Sequence, residues 1–243
     1  MATADEPWIF RPGRIPSCLS TYVPGRVRGE GRSATVRRPM DIDSDVEREL
    51  RYRAKAALRK RARGLRNAVP REAALARSAR IAERIEGLDF VRAAKTVAIF
   101  HPIEGRNEVD LTALGDRLRA RGVRVAYPSI EPETRVMTFR FVADPAALEE
   151  RGLGFREPEA EAEEATSLDV IIVPALQIDG RGHRIGYGAG FYDRTLPRFA
   201  PPARSVGVAF DFQLVAEVPE TPGDVTVSLI VTDAQILVPD PAR

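Results

Sequence analysis

The sequence predicts an α/β fold: a three-layer sandwich with a mostly parallel central sheet flanked by helices, in which two helices precede the sheet. Three observations support this prediction. Six short apolar runs recur along the chain, separated by helical or loop segments. The first two runs enclose a helical segment, as in a strand–helix–strand unit. The runs are almost continuously apolar, which is typical of parallel strands that are buried on both faces.

The amino-terminal segment, residues 1–44, has no periodicity and is predicted to be a disordered extension. It is rich in proline and glycine, and up to residue 40 it carries seven arginines against three acidic residues. An arginine-rich, acid-poor start is also typical of an organellar transit peptide, and Met40 is an alternative start of translation. We expect a single domain over residues 45–238.

Helical patterns follow this extension. The first helix begins at Asp45, is built from strong helix formers and ends before Pro70. The second is predicted over residues 71–90. It has one apolar face, made of Leu75, Ala79, Ala82, Ile85 and Leu88. A third lies between the first two apolar runs, with a stripe of Leu111, Leu114 and Leu118, and Gly122 is predicted to cap it.

The strands are predicted from the apolar runs themselves. The six runs are 96–100, 123–129, 135–142, 168–176, 204–210 and 225–232. The acidic segment 156–165 is interpreted as a solvated loop. The sequence contains no internal repeat.

Composition excludes several kinds of site. Cys18 is the single cysteine and the chain has two histidines, so neither an internal disulfide nor a Cys/His zinc cluster can form. A bound metal must therefore be held by oxygen atoms. No run approaches the ~18 apolar residues of a membrane helix. We expect a cytoplasmic monomer, and the arginine-rich start leaves organellar targeting open.

The stretch "HRIGYGAGFYDR" (183–194) carries glycines at three alternate positions after a buried run and before a predicted helix. The spacing does not fit the dinucleotide-binding pattern, and the Gly-Lys-Ser/Thr ending of a P-loop is absent. Glycines allow backbone N–H groups to converge, and a helix start adds a positive dipole end, which together suit phosphate. The residues alone leave two interpretations open, an anion-binding nest or a tight turn.

Four blocks in order resemble the 5-formyltetrahydrofolate cyclo-ligase family. The longest is "DVIIVPALQIDGRGHRIGYGAGFYDRTL" (169–196). "KAALR" (55–59) resembles the family's first helix, and "IFHPIEGRNEVD" (99–110) resembles its strand and Glu-hydrophobic-Asp loop. "VGVAFDFQLVAEVPETPGDVTVSLIVTD" (206–233) resembles its carboxyl-terminal blocks. The resemblance covers about residues 45–235.

The resemblance implies an enzyme that uses ATP and Mg²⁺ to close 5-formyltetrahydrofolate to 5,10-methenyltetrahydrofolate, releasing ADP and phosphate. The γ-phosphoryl group would convert the formamide oxygen into a leaving group, through an iminium phosphate. Such a reaction requires mainly positioning and charge neutralisation from the protein.

The same resemblance assigns residues to roles, with Arg184 and Lys55 as the catalytic pair. The implied ATP site is Lys55, Arg59, Arg184, Ile185, Gly186, Tyr187, Gly188, Ala189, Gly190, Phe191 and Tyr192. The implied folate site is Ile103, Glu108, Tyr187, Gly188, Ala189, Gly190 and Phe191, with Glu108 accepting N–H groups of the pterin. Asp193 and Asp224 are the implied Mg²⁺ ligands.

Each role has a plainer alternative in the sequence. Lys55 and Arg59 belong to a helix with nine basic residues between Arg48 and Arg66, where solvated charge is usual. Arg184 fits a solvent-facing turn, and Asp193 fits the start of a helix without a metal. Two departures from the family stand out: Gly223 occupies a position where the family often has histidine, and Gln177 one where a small or apolar residue is common.

Two other functions remain open at this level. One is a protein of the same fold that binds folate or another formylated heterocycle with little ligase activity, which the Gly223 departure favours. The other is an RNA-associated protein that uses its basic first helix and amino-terminal segment. The near-neutral balance elsewhere argues against the second, so we expect no nucleic acid and no membrane among the partners.

Overall fold

A computed structural model of the chain describes residues 42–131, 133–151 and 154–240. Most of the extension that was predicted to be disordered, residues 1–44, lies outside the described residues. Its last three residues, 42–44, belong to the first helix, which begins three residues earlier than predicted. The described helices are α1 (Ile42–Asn67), α2 (Arg71–Glu86), α3 (Asp89–Ala93), α4 (Thr112–Ala120) and α5 (Phe191–Thr195). None of the helices in these ranges is long and apolar enough to cross a bilayer.

The described residues also form twelve strands, several of only two or three residues. They are β1 (Thr96–Ala98), β2 (Arg124–Ile130), β3 (Met137–Phe141), β4 (Glu149–Glu150), β5 (Arg156–Glu157), β6 (Val170–Pro174), β7 (Gln177–Asp179), β8 (Arg184–Ile185), β9 (Arg204–Val208), β10 (Leu214–Val215), β11 (Leu229–Val231) and β12 (Ile236–Leu237). All six predicted strands are confirmed; five have shorter bounds, and β2 has the predicted length but begins and ends one residue later. The remaining strands are too short to leave a pattern in the sequence.

Seven strands form the central sheet in the order β12-β11-β9-β6-β1-β2-β3. The five inner strands are parallel, and β3 and β12 add antiparallel edges. Chain order reverses beside β1, because β2 lies on one side of it and β6 on the other. In open α/β sheets, ligands usually bind at the carboxyl ends of the strands at such a reversal.

One face of the sheet is covered by α2 and α4. Along β1, Val97 and Ile99 point to this face and Ala98 points to the other. The predicted leucine stripe of α4 is confirmed, since all three leucines are fully buried. These contacts make the larger of the two apolar layers.

The predicted face of α2 is partly wrong. Leu75 and Ala79 are exposed, and the buried residues are Ala74, Ser78, Ile81, Ala82 and Ile85. Ser78 belongs to this face because its hydroxyl donates to the carbonyl of Ala74 and accepts the N–H of Asp110. The helix also ends at Glu86 rather than continuing to residue 90, and α3 is a separate short helix.

The opposite face is covered by lighter elements. Leu196 and Phe199, in and after the turn that follows α5, pack there together with Ile178 from a small sheet of β10, β7 and β8. The acidic segment 156–165 is not wholly solvated as predicted. Glu157 is 2% exposed, and its carboxylate accepts the N–H of Ile130 at 2.6 Å, which anchors the β4–β5 hairpin to the sheet.

Helix α1 packs outside both layers, against the small sheet. Leu58 and Ala62 contact Leu176, Ile185 and Val218 in a third apolar cluster. The other buried residues on this face of α1 are the cations Lys55 and Arg66, and Arg59 is half-buried. Positions 55, 59, 62 and 66 follow helical spacing, so α1 presents a basic stripe to the rest of the molecule.

Candidate functional site

A cleft of about 620 Å³ opens at the carboxyl edge of the parallel strands. Its floor includes Phe100 after β1, Pro128 in β2 and Pro174 at the end of β6. The cleft therefore lies where the strand order reverses. Its walls come from α1, from the loop after β1, and from the loop between β8 and α5.

The loop between β8 and α5, residues 186–190, is hereafter the glycine loop. Gly188 has φ +106° and Gly190 has φ +66°, backbone conformations that side chains other than glycine rarely adopt. Gly186 has no such constraint, and a Cβ there would meet nothing within 4 Å. Among the described residues, no acceptor is bound to the N–H groups of this loop. The loop thus presents free backbone donors to the cleft.

The start of α5 adds to this set of donors. Gly190 is its N-cap and has no side chain to cap the helix. The first N–H groups of a helix have no partner within the helix, so those of Phe191 and Tyr192 point in the direction of the loop. Both residues line the cleft.

Lys55 of α1 reaches the far wall of the cleft. It is 4% exposed, and its Nζ donates to Thr221 Oγ1 at 2.8 Å and to Asp224 Oδ2. Burial raises the pKa of Asp224, but the hydrogen bonds from Lys55 and Thr221 outweigh it and lower the pKa overall. Lys55 is therefore a buried cation with a fixed counter-ion, not a solvated charge.

Arg184 in β8, just before the glycine loop, is likewise a buried cation with a carboxylate partner. Its side chain is 5% exposed and donates to Asp193 Oδ1 at 2.8 Å and to the carbonyl of Val225. Asp193 Oδ1 also accepts the N–H of Val225, at 3.2 Å. Burial lowers the pKa of this guanidinium, although neighbouring Asp193 and Asp224 oppose the shift. The solvent-facing alternative for Arg184 is thereby excluded.

Arg59 lies over the glycine loop. Its Nε donates to the carbonyl of Gly186 at 3.2 Å, and its guanidinium carbon is 3.3 Å from where a Cβ of Gly188 would stand. Arg59 is half-buried and lines the cleft, and its Nε–Gly186 bond is the one hydrogen bond of its side chain among the described residues. Lys55 and Arg59, one helical turn apart, thus face the same space.

Glu108 belongs to the loop after β1 and is 7% exposed. Its Oε2 accepts the N–H of Ile103 at 2.8 Å, and its Oε1 accepts the hydroxyl of Tyr187 at 2.7 Å. Arg66 of α1 donates to the same Tyr187 hydroxyl and lies 3.5 Å from Glu108 Oε1. This group of three, the buried Arg66 and Glu108 and the half-buried Tyr187, is hereafter the Arg66 triad.

The described residues contain no cluster of three or more His, Cys, Asp or Glu side chains able to hold a metal ion. The Oδ1 atom of Asp193 accepts hydrogen bonds from Arg184 and Val225, whereas its Oδ2 atom makes none with the described residues. Both oxygens of Asp224 are engaged by Lys55 and Thr221. This donor set suits a cation that also takes oxygens from a bound phosphate, as Mg²⁺ usually does.

Nearly all the predicted site residues meet in this cleft. Those that line it are Lys55, Arg59, Ile103, Glu108, Arg184, Gly186, Tyr187, Gly188, Ala189, Gly190, Phe191, Tyr192, Asp193 and Asp224. Ile185 differs: it is 1% exposed and packs beneath the loop with Ala62. Sequence reasoning missed Arg66 and Thr221. The spacing of Arg66 from Lys55 and Arg59 was a usable signal, but Thr221 has none.

The fold and the cleft define an α/β protein with an open set of backbone donors and buried cations at the carboxyl edge of its sheet. The family model of the 5-formyltetrahydrofolate cyclo-ligase family matches residues 51–233. The chain belongs to this family.

Individual relatives agree with the family match. The chain is 35% identical over 144 residues to the 5-formyltetrahydrofolate cyclo-ligase of Mycolicibacterium smegmatis, covering 57% of this chain and 73% of the relative. Identity to the enzyme of that name from Escherichia coli is 32%, over 59% and 80% of the two chains. The structure of 5,10-methenyltetrahydrofolate synthetase from Aquifex aeolicus superposes with a TM-score of 0.67 at 30% identity, covering 76% and 92%.

Proposed function

We propose that this chain is a 5-formyltetrahydrofolate cyclo-ligase that consumes ATP with Mg²⁺ and forms 5,10-methenyltetrahydrofolate, ADP and phosphate. Membership of the family and the names of its relatives support the activity. The observation that carries the ATP requirement is the glycine loop, whose free N–H groups lie among three cationic side chains, Lys55, Arg59 and Arg184.

The chemistry explains why such a site is needed. The formyl oxygen of the substrate attacks the γ-phosphorus of ATP, and ADP leaves. The neighbouring anilino nitrogen then attacks the activated formyl carbon and loses its proton, and phosphate departs with the former formyl oxygen. Negative charge accumulates on phosphoryl oxygens, so the protein contributes mainly by fixed positive charge and alignment.

Each cation has a distinct part in this proposal. Arg184 and Lys55 are pre-oriented by Asp193 and Asp224, so they can neutralise phosphate without first being ordered. Arg59, held by a single described hydrogen bond, is the more adaptable of the three and would close over the polyphosphate. The backbone donors of the glycine loop would take the phosphate oxygens between them.

The folate would occupy the other end of the cleft. Ile103, Tyr187 and Phe191 supply apolar and aromatic surface there, and Glu108 supplies a carboxylate that is already oriented by Ile103. A carboxylate can accept further hydrogen bonds beyond those seen here, and the amino-pyrimidine edge of a pterin offers two N–H groups.

Asp193, and less directly Asp224, would hold Mg²⁺ together with phosphate oxygens. Bound there, the ion would offset the charge of the phosphates. Asp193 fits this role through its unengaged Oδ2. Asp224, whose oxygens are occupied by Lys55 and Thr221, would act through a water molecule.

The direct test is to incubate the purified chain with 5-formyltetrahydrofolate, ATP and Mg²⁺ and to follow the absorbance of the methenyl product. We expect product only when all three are present. Asp193→Asn should raise the Mg²⁺ concentration needed for half-maximal rate. Binding of the folate without any product would instead support the same-fold protein of little ligase activity.

A further inference from the structure

We propose that the Arg66 triad couples the two ends of the cleft, so that occupancy of the folate end strengthens binding at the phosphate end, and the reverse. The inference rests on the proposed function, because it concerns its two substrates. Within this scheme Arg66 is a positioning residue, since it acts through Tyr187 and Glu108 and does not line the cleft.

The triad joins three elements that are far apart in the chain. Arg66 is in the last turn of α1, Glu108 is in the loop after β1, and Tyr187 is in the glycine loop. The Tyr187 hydroxyl is the common point, since it receives a hydrogen bond from Arg66 and donates one to Glu108. A shift of any member must therefore be followed by the other two or break a partly buried hydrogen bond.

Burial makes this connection stiff. The side chains of Arg66 and Glu108 are 3% and 4% exposed, so loss of a partner would leave a mostly buried charged group unpaired, which is costly. Arg66 Nε already has no hydrogen-bond partner among the described residues, which leaves the guanidinium dependent on the contacts that remain. Two guanidinium groups, of Arg66 and Arg106, also lie within 6 Å of the Tyr187 ring centre.

The direction of the coupling follows from which groups each ligand uses. A pterin bound to Glu108 fixes that carboxylate, and through the Tyr187 hydroxyl it fixes the backbone between Gly186 and Gly188. Those residues carry N–H groups that the phosphates require. Each ligand then orders part of the site of the other, which gives positive and reciprocal coupling.

The test measures the dissociation constant of a non-hydrolysable β,γ-imido analogue of ATP, with and without saturating 5-formyltetrahydrofolate. We expect the folate to tighten the analogue by about tenfold in the unmodified chain, within the usual range of coupling between sites. Tyr187→Phe keeps the ring and removes only the hydroxyl, so the ratio should fall close to one. Arg66→Lys keeps the charge but loses the planar fork and should also reduce the ratio.

Tyr127→Phe is the matched control. Its hydroxyl also accepts a hydrogen bond from an arginine, Arg119, but Tyr127 is buried and does not line the cleft, so the ratio should stay at the unmodified value. A purely structural role would change the stability of Tyr187→Phe or shift both constants together while leaving their ratio intact. That result would overturn the proposal.

A second measurement needs no variant. The Ile103 amide donates to Glu108 and lies outside the proposed phosphate site, so the ATP analogue alone should slow its hydrogen exchange. Unchanged exchange at Ile103, with the analogue bound, would contradict the coupling while leaving the proposed function intact. A chain that binds neither ligand would remove both the proposed function and the coupling that depends on it.

Discussion

Helices α1 and α2 follow each other directly in the chain and have similar spacing of buried residues. They differ in the kind of side chain that they bury, which is mainly charged in α1 and mainly apolar in α2. Helix α2 buries Ile81 and Ile85 against the sheet. Helix α1 buries Lys55 and Arg66, with one small apolar residue, Ala62, between them. Buried charge is unfavourable unless it is paired, whereas buried apolar area is favourable by itself.

The location of their cations indicates that the two helices have different roles. The cations of α2 stay near the surface, where Arg77 reaches Asp233 from the edge of the apolar layer. Three cations of α1, Lys55, Arg66 and Arg59, extend inward to Asp224, to Glu108 and to the glycine loop, respectively. We therefore expect changes in α2 to affect stability and changes in the buried stripe of α1 to affect ligand binding and turnover.

The largest effect is expected for Ile81→Ala in α2. Ile81 is fully buried, so the free energy of unfolding should fall by about 2–5 kcal/mol, the usual cost of such a cavity. Urea unfolding measures this, and the affinity of the folded fraction for ATP should be unchanged. Leu75→Ala, at a position 43% exposed, is the control and should lose little stability. Equal losses for the two would contradict the assigned face of α2.

The next effect concerns α1. Lys55→Met removes a fixed positive charge from the proposed phosphate site, and turnover should fall by about 10²–10³-fold, as for the loss of one preorganised donor. Lys60→Met, on the exposed side of the same helix, should leave turnover close to the unmodified value. Melting temperatures on the same preparations separate loss of folding from loss of function. If both variants retained full turnover, Lys55 would have no part in the phosphate site.

A smaller effect distinguishes the two interpretations of the glycine loop, an anion-binding nest and a tight turn. Gly186→Val places a side chain in open space at the cleft without backbone strain, so the Michaelis constant for ATP should rise by about tenfold, or 1.4 kcal/mol. Gly188→Ala is the comparison, because φ of +106° makes it unfavourable for any side chain and its main effect should be on melting temperature. Should Gly186→Val change stability alone, the glycine loop would be only a turn.

The smallest expected effect is on how the stability of the protein depends on pH, through the carboxylate partner of each helix. Hydrogen bonds lower the pKa of Asp224, the partner of Lys55, and of Asp233, the partner of Arg77, even though burial raises both. A carboxylate with a lowered pKa in the folded state stabilises it above the ordinary value of 3.8, and this contribution is lost as pH falls below that value. Asp224→Asn and Asp233→Asn should each flatten the loss of stability between pH 5 and about pH 2. An unchanged acid titration in Asp224→Asn would mean that Lys55 is not its partner in solution.

Much of the fold follows from local pattern. The six apolar runs became the main sheet strands because burial on both faces leaves a continuous signal, and the leucine stripe of α4 was predicted residue by residue. The face of α2 was predicted less well. Ser78 is polar in sequence but buried, because its hydroxyl has two backbone partners. Apolar pattern alone cannot reveal a polar residue that is satisfied within the protein.

The site depends more on contacts between distant residues. The motif around the glycine loop was visible in the sequence, but the partner of Lys55 lies 169 residues away and leaves no trace in local composition. Arg66 was hidden among nine basic residues of similar appearance. Which of these cations is buried is decided by the elements that pack on α1, and these come mostly from the last third of the chain.

That arrangement has a consequence for synthesis of the protein on the ribosome. Helix α1 is the first of the described helices to emerge, yet the groups that receive Lys55 and Arg59 lie between Gly186 and Asp224. Until those residues have been translated, Lys55 and Arg59 lack these acceptors and stay in water, while α2, α4 and the first strands can already begin to associate. The first of the described helices thus depends on residues made late, and a chain that stops before residue 221 lacks both acceptors that turn Lys55 inward.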